Sequence, residues 1–280
     1  MTSIAARDLT KKFGDVVAVS QLSFEVRPGE VVGLLGANGA GKTTTMKMLL
    51  GLLEPSSGEV LIGGQSARRI DRHVLGYVPQ GLGLYRDLTV SENLSFAAAA
   101  FGVPMPSLAE ANLGDVAGRK VKDISLGLRR RLAFLVARCH QPSVLILDEP
   151  TSGVGPLGRA RLWETIHETA GDGASVLVST HYMEEAEECH RVVLMASGRA
   201  VASGSVSEVI GGASSVAVSG PVSQDGLTAI GEAGGTVLMA GDGWRVVGLD
   251  VRAVHQIVGD GARVEEVPAS FEEAFVALSR

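Results

Sequence analysis

The sequence predicts an α/β protein, with a three-layer core on a parallel sheet followed by a small α+β unit. Three observations carry this reading. Short apolar runs at 31–35, 144–147 and 175–179 have the length and texture of strands buried on both faces. Segments with helical spacing at 42–53 and 157–170 alternate with them, which favours a parallel sheet flanked by helices. Between the first run and the first helix lies the glycine-rich octapeptide Gly36-Ala37-Asn38-Gly39-Ala40-Gly41-Lys42-Thr43.

The elements follow in order. Residues 22–26 alternate apolar and polar, as a half-buried strand does, and Arg27-Pro28-Gly29-Glu30 is a turn into the buried run. A second turn, Pro55-Ser56-Ser57-Gly58, leads to a strand at 59–62. Thr89-Val90-Ser91-Glu92 is a capping box, so a helix starts there and runs through Ala100 until 102–106 ends it. The stretch from 89 to about 141 reads as a mainly helical insertion. One more strand is expected at 192–195. Beyond about Ile210 the texture changes: Gly211-Gly212-Ala213-Ser214-Ser215 reads as a linker. After it come a strand at 216–218, a helix at 226–232, a hairpin at 236–249 across Gly241-Asp242-Gly243, a helix at 251–258, a strand at 263–267 and a closing helix at 271–278. The expected domains are therefore 1–210 and 211–280.

Composition narrows the function. With 280 residues, 45% hydrophobic and 20% charged, the chain has ample material for a core. A formal charge of −6 disfavours tracking a nucleic-acid backbone, which relies on a basic surface and released counterions, so no nucleic-acid partner is expected. Cys139 and Cys189 show neither zinc spacing nor a disulfide framework and read as two reduced thiols of a cytosolic protein. No segment reaches the ~18 consecutive apolar residues of a bilayer span, and 1–12 lacks an apolar signal region. Any membrane role is thus expected to run through a partner.

The octapeptide fits G-x-x-x-x-G-K-[ST], with a buried strand before it and a helix after it. Glycines let several amide N–H groups converge on one point, and the helix N-terminus adds a dipole that favours phosphates. In that arrangement Lys42 reaches the outer phosphates of ATP and the Thr43 hydroxyl ligates Mg²⁺. Asp148, ending the strand 144–147, is placed to hold Mg²⁺, and Glu149 beside it to polarise an attacking water as general base. His181 follows Val176 to Thr180 at the end of another strand and is a candidate contact for the γ-phosphate.

These elements, in this order, resemble an ATP-binding cassette (ABC) transporter ATPase over roughly 4–210, a P-loop NTPase core with a helical subdomain. Phe13 fits the position that stacks on adenine. Gln80, in Tyr77-Val78-Pro79-Gln80, matches the glutamine loop, and Ser125-Leu126-Gly127 sits where the family signature lies. The resemblance extends the site to Gly36, Asn38, Gly39, Ala40, Gly41 and Thr44 for nucleotide, and to Gln80 beside Thr43 and Asp148 for metal. His181-Tyr182-Met183-Glu184-Glu185-Ala186-Glu187 and Ser270-Phe271-Glu272-Glu273-Ala274-Phe275 resemble the drug- and lipid-export branch, whose permease is a separate polypeptide.

The resemblance implies a head-to-tail dimer, with itself or with a related ATPase. Ser125 and Gly127 of one subunit would touch the γ-phosphate held by the other. It also implies an integral membrane permease and a place on the cytoplasmic face of the membrane. Two departures stand out. The usual Leu-Ser-Gly-Gly-Gln is here Ile124-Ser125-Leu126-Gly127-Leu128, and the segment Ser152-Gly153-Val154-Gly155 ends in glycine where the family commonly has aspartate. The lost carboxylate is expected to weaken coupling between the two nucleotide sites. The stretch between Phe101 and Ser125 is also short. Two other readings are a soluble ABC-type ATPase acting on ribosomes or DNA, and a regulator that holds ATP but barely hydrolyses it. The first lacks a second cassette, a long coiled coil and a basic charge. The second is opposed by Lys42, Glu149 and His181 and favoured by Gly155.

Overall fold

The computed structural model describes residues 3–211, 214–241 and 243–278, and the chain separates into two compact units, Met1–Ala200 and Val201–Arg280. The first unit opens with strands β1 (Ile4–Phe13) and β2 (Val16–Val26), which pair antiparallel across the tight turn at Gly14 and Asp15. Strand β3 (Val31–Leu35) is wholly buried, and helix α1 (Lys42–Leu49) follows the glycine loop. Strands β4 (Ser57–Ile62) and β5 (Gln65–Ser66) join the opening hairpin in an antiparallel sheet of order β2-β1-β4-β5. That sheet was not anticipated as a separate layer. Alternation identifies a half-buried strand but not which neighbour it pairs with.

Strand β6 (Leu75–Val78) precedes helix α2 (Val90–Phe101), whose Thr89/Glu92 capping box is present as expected. Short 3₁₀ turns fill most of 108–123 before helix α3 (Leu126–Arg138). Val90, Leu94, Leu113, Val121, Ile124, Leu132 and Leu135 give this insertion a core of its own. Strand β7 (Val144–Asp148), helix α4 (Pro156–Gly171), strands β8 (Ser175–Thr180) and β9 (Arg191–Ala196), and strand β10 (Arg199–Gly204) follow. The larger sheet runs β10-β9-β3-β8-β7-β6, and its pairs β9-β3, β3-β8, β8-β7 and β7-β6 are parallel, as the apolar runs predicted. Helix α1 stops at Leu49 rather than Leu53, because Gly51 turns the chain and the Leu52 N–H reaches back to the Lys47 carbonyl at 2.9 Å. The α1 side chains Met46, Met48 and Leu49 pack with Val19, Leu22, Leu34, Ile62 and Ile146, so this helix joins the two sheets into one core.

In the second unit, helix α5 (Val206–Ile210) leads to β11 (Ser214–Ser219), α6 (Gln224–Glu232), β12 (Thr236–Ala240), β13 (Gly243–Val247), α7 (Val251–Val258), β14 (Arg263–Pro268) and α8 (Phe271–Leu278). The four strands form an antiparallel sheet of order β12-β13-β11-β14, the ferredoxin-like βαββαβ arrangement. Val216, Val218, Ile230, Val246 and Val254 form its core. Gly212 and Ala213 of the expected linker, and Asp242 of the hairpin turn, lie outside the described residues. Among the described residues no helix is long and apolar enough to cross a membrane.

Candidate functional site

In a parallel sheet the carboxyl ends of the strands leave a crevice where ligands gather. Here the ends of β3, β7 and β8 deliver the glycine loop, Asp148-Glu149 and Thr180-His181, and the chain leaving β6 delivers Gln80. A cleft of about 360 Å³ opens there, lined by Ala18, Asn38, Gly39, Gly41, Lys42, Thr43, Thr44, Gln80 and Glu149. The glycine loop is shaped by close approach. A Cβ on Gly36 would lie 2.3 Å from the Met195 carbonyl oxygen. Gly41, which caps α1 with φ +101°, would bring one within 2.6 Å of the Ala18 oxygen.

The Lys42 ammonium is 5% exposed and donates to the Gly36 and Ala37 carbonyls at 2.6 and 3.1 Å. It lies 3.9 Å from Glu149 Oε1. Burial pushes its pKa down, and the Glu149 and Asp148 carboxylates partly restore it. Thr43 Oγ1 donates to Asp148 Oδ1 at 3.4 Å, and Gln80 Nε2 donates to Glu149 Oε2 at 3.4 Å. His181 Nδ1 stands 3.3 Å from Glu149 Oε1 without the alignment of a hydrogen bond. Glu149 therefore has Lys42, Gln80 and His181 around a single buried carboxylate.

Glu149 also holds a left-handed backbone, φ +50°, which costs energy for any residue with a side chain. Its surroundings fix it there. The Glu149 N–H donates to Ser179 Oγ at 3.0 Å and to the Ser179 carbonyl at 3.2 Å. The Glu149 carbonyl accepts from Arg130 Nη1 at 2.8 Å, and Arg130 Nη2 donates to the Ser152 carbonyl. Ser179 Oγ donates in turn to Asp148 Oδ1 at 2.6 Å. Neither Ser179 nor Arg130 was among the expected site residues. Ser179 is one more small residue in an apolar strand, and Arg130 one of three consecutive arginines, so only the folded register singles them out.

Comparison with known proteins then decides the family. The family model described as "ABC transporter" matches residues 19–152. A probable multidrug ABC transporter ATP-binding protein of Escherichia coli K12, YbhF, is 42% identical over 214 aligned positions, covering 72% of this chain and 37% of its own length. The Nod factor export ATP-binding protein I of Paraburkholderia xenovorans is 36% identical, with 96% of this chain and 94% of the relative aligned. The chain belongs to the ABC transporter family of ATP-binding proteins.

A solved structure of an ATP-binding subunit of an ABC transporter superposes with a TM-score of 0.67 at 30% identity, covering 74% of this chain and 92% of that one. The aligned region spans little more than a third of the E. coli relative. Within this ABC cassette the expected site residues divide in two. Asn38, Gly39, Gly41, Lys42, Thr43, Thr44, Gln80 and Glu149 line the cleft, with Gly36, Ala40, Asp148 and His181 on the same strand ends and loop. Phe13, Ser125 and Gly127 do not line it. Phe13 is 51% exposed at the end of β1, with the Lys11 ammonium 5.2 Å from its ring centre. Ser125 caps α3, its hydroxyl accepting from the Leu128 N–H at 3.4 Å.

Asp148 Oδ2 is buried and has no hydrogen-bond partner, an acceptor left over beside the Thr43 hydroxyl. That pair suits a hard divalent cation. Among the described residues no group of three or more His, Cys, Asp or Glu side chains could hold a metal. Such a cation would take its remaining oxygen ligands from nucleotide phosphates and water, as Mg²⁺ commonly does.

Proposed function

We propose that this protein is the ATP-hydrolysing subunit of an exporter, working on the cytoplasmic face of the membrane through a separate permease. The observation that carries the reading is the grouping of Lys42, Gln80 and His181 around the Glu149 carboxylate at the mouth of a glycine-loop cleft. The loop amides and Lys42 would hold the outer phosphates of ATP, with Asn38, Ala40 and Thr44 completing the cradle. Thr43 and Asp148, with Gln80, would hold Mg²⁺, which supplies neutralising charge to the phosphate oxygens. Glu149 would take a proton from the attacking water, and His181 would steady the γ-phosphate as charge shifts. Phe13 would stack on the adenine ring.

Because Ser125 and Gly127 do not line their own cleft, we read them as completing the site of a second cassette in a head-to-tail dimer. Closure on ATP and opening after hydrolysis would then drive the permease between two states. Residues 1–210 form the cassette on this reading, with its helical subdomain at about 89–141, since β10 stays in the larger sheet through Gly204. Residues 211–280 form an accessory domain. The relatives are named for multidrug and Nod factor export, and a drug-like, lipid or other cargo is the reading we adopt.

The test is to express tagged Glu149→Gln protein, solubilise membranes gently with ATP present, and identify what co-purifies by mass spectrometry. Lost ATP turnover together with a co-purifying polytopic membrane protein is expected. A chain found only with ribosomes, DNA or no partner would refute the exporter reading. Gly155 favours a second reading, a cassette that holds ATP but turns it over weakly, and wild-type turnover decides between the two.

A further inference from the structure

Tyr182, the residue after His181, has surroundings that the proposed hydrolysis does not use. The Tyr182 ring lies against the His181 imidazole with centroids 4.2 Å apart and planes at 36°. On it sits the Arg159 guanidinium, 4.7 Å from the ring centre. A planar cation over an aromatic face is attractive, and more so where partly desolvated. Arg159 is itself held. Its Nε lies 3.5 Å from Glu185 Oε1 and its Nη1 lies 3.7 Å from Glu184 Oε2. Glu185 is 2% exposed and neither carboxylate oxygen has a hydrogen-bond partner, so Arg159 is a cation facing that buried charge. The Tyr182 N–H donates to Thr180 Oγ1 at 3.0 Å, which fixes the backbone beneath the ring. Arg159 stands in the first turns of α4, whose N-cap is Gly155. A continuous set of contacts thus runs from the start of α4 through Arg159, Tyr182 and His181 to Glu149 Oε1 at 3.3 Å.

We propose that Arg159 is a positioning residue for the proposed reaction: it clamps Tyr182 as the platform that aims His181, and so ties His181 to the segment 152–155 that precedes α4. This inference rests on the hydrolytic reading above. It gives this chain a link between that segment and the hydrolytic residues that does not need a carboxylate at position 155. Movement at the start of α4 would reach His181 through the guanidinium and the ring. Arg130 makes a second, backbone-level link across the same segment, between Glu149 and Ser152.

The experiment uses the full chain in three forms. Tyr182→Phe keeps the ring. Tyr182→Leu removes it. Arg159→Gln combined with Glu185→Gln removes both charges together, so that no carboxylate is left buried alone. MgATP affinity, kcat and KM are measured for each, and again on a His181→Ala background. We expect Tyr182→Phe to match wild type. The other two should lose about 10- to 100-fold in kcat, the cost of a misaimed catalytic group, with nucleotide affinity unchanged. On the His181→Ala background neither should lower kcat further. Retained kcat in both, or full losses that persist without His181, would overturn the inference.

A readout independent of turnover is the His181 ring-proton resonance, assigned by its disappearance in His181→Ala. It should move in the same direction in Tyr182→Leu and in the double variant. An unmoved resonance in both overturns the clamp. A wild-type protein that binds ATP without hydrolysing it would sink the hydrolytic reading instead, leaving the resonance to decide the clamp.

Discussion

Ser179→Ala removes one oxygen atom from the centre of the site, and the structure indicates what that costs. Ser179 is fully buried, and its hydroxyl donates to Asp148 Oδ1 at 2.6 Å while accepting from the Glu149 N–H at 3.0 Å. A buried hydrogen bond to a carboxylate contributes about 1.5–3 kcal/mol, and a neutral one about 1. The second loss is partly made good, because the Glu149 N–H also reaches the Ser179 carbonyl at 3.2 Å. Asp148 is left with only the longer 3.4 Å bond from Thr43, and its Oδ2 already has no partner. The expected destabilisation is therefore about 2–3 kcal/mol. For a unit of this size that corresponds to a fall in Tm of roughly 5–10 °C. The cavity left by one hydroxyl is negligible, so the loss reports the polar network alone.

Trp163 is 2% exposed on α4 in the same unit, and the other tryptophan, Trp244, lies in the second. In a Trp244→Phe background, fluorescence during urea unfolding therefore follows the unit that holds Ser179. The midpoint should fall with an unchanged slope, and ATP turnover should drop roughly 10-fold as the strained Glu149 loses one of its tethers. A destabilisation below about 0.5 kcal/mol, the range of ordinary surface substitutions, would refute the reasoning. So would wild-type turnover in a clearly destabilised protein, since it would show that Ser179 does not position Glu149.

Two further predictions concern single positions. Gly155 caps α4 without a side-chain hydrogen bond, and a Cβ there meets nothing within 4 Å, so Gly155→Asp should fit and stabilise by a few tenths of a kcal/mol. If the missing carboxylate weakens coupling between sites, the same variant should hydrolyse ATP faster and more cooperatively; steady-state rates no higher and no steeper than wild type would dismiss that idea. His140 stacks on Phe101 with ring centres 3.7 Å apart and bonds the Leu75 carbonyl at 3.0 Å, and burial pushes its pKa below the ordinary imidazole value of 6.5. Its contribution to stability is then present above pH 6.5 and lost as pH falls through the lowered value. Wild type should lose more Tm between pH 7 and pH 5 than His140→Phe, which keeps a ring and removes the titration, and parallel curves for the two would contradict the assignment.

Much of the site was legible in the sequence because its parts are local. Eight consecutive residues make the phosphate loop, and Asp148-Glu149 and Thr180-His181 each end an apolar run. Short contiguous patterns of this kind carry their own geometry: glycines permit the turn, and a strand end presents its last side chains to a crevice. The capping box at Thr89 foretold its helix for the same reason, since both partners lie within one turn. Helix ends were less legible. The sequence extended α1 to Leu53, whereas the chain turns at Gly51 inside a run whose spacing still looks helical.

The sequence by itself determined the parallel core, the glycine loop and the Asp148-Glu149 pair at a strand end. Only the tertiary structure decided which otherwise ordinary residues hold them in place. Ser179 lies 31 positions from Asp148, and Arg130 lies 19 from Glu149. No periodicity links such pairs, because their contacts arise from the register of β7 against β8 and from the packing of α3 behind the segment after β7. The antiparallel sheet of β1, β2, β4 and β5 shows the same limit. Residues 22–26 and 59–62 are visible as strands, whereas β1 and the two-residue β5 are not, and partner choice depends on which apolar faces must be buried together, a face that α1 supplies only once the chain has closed around it.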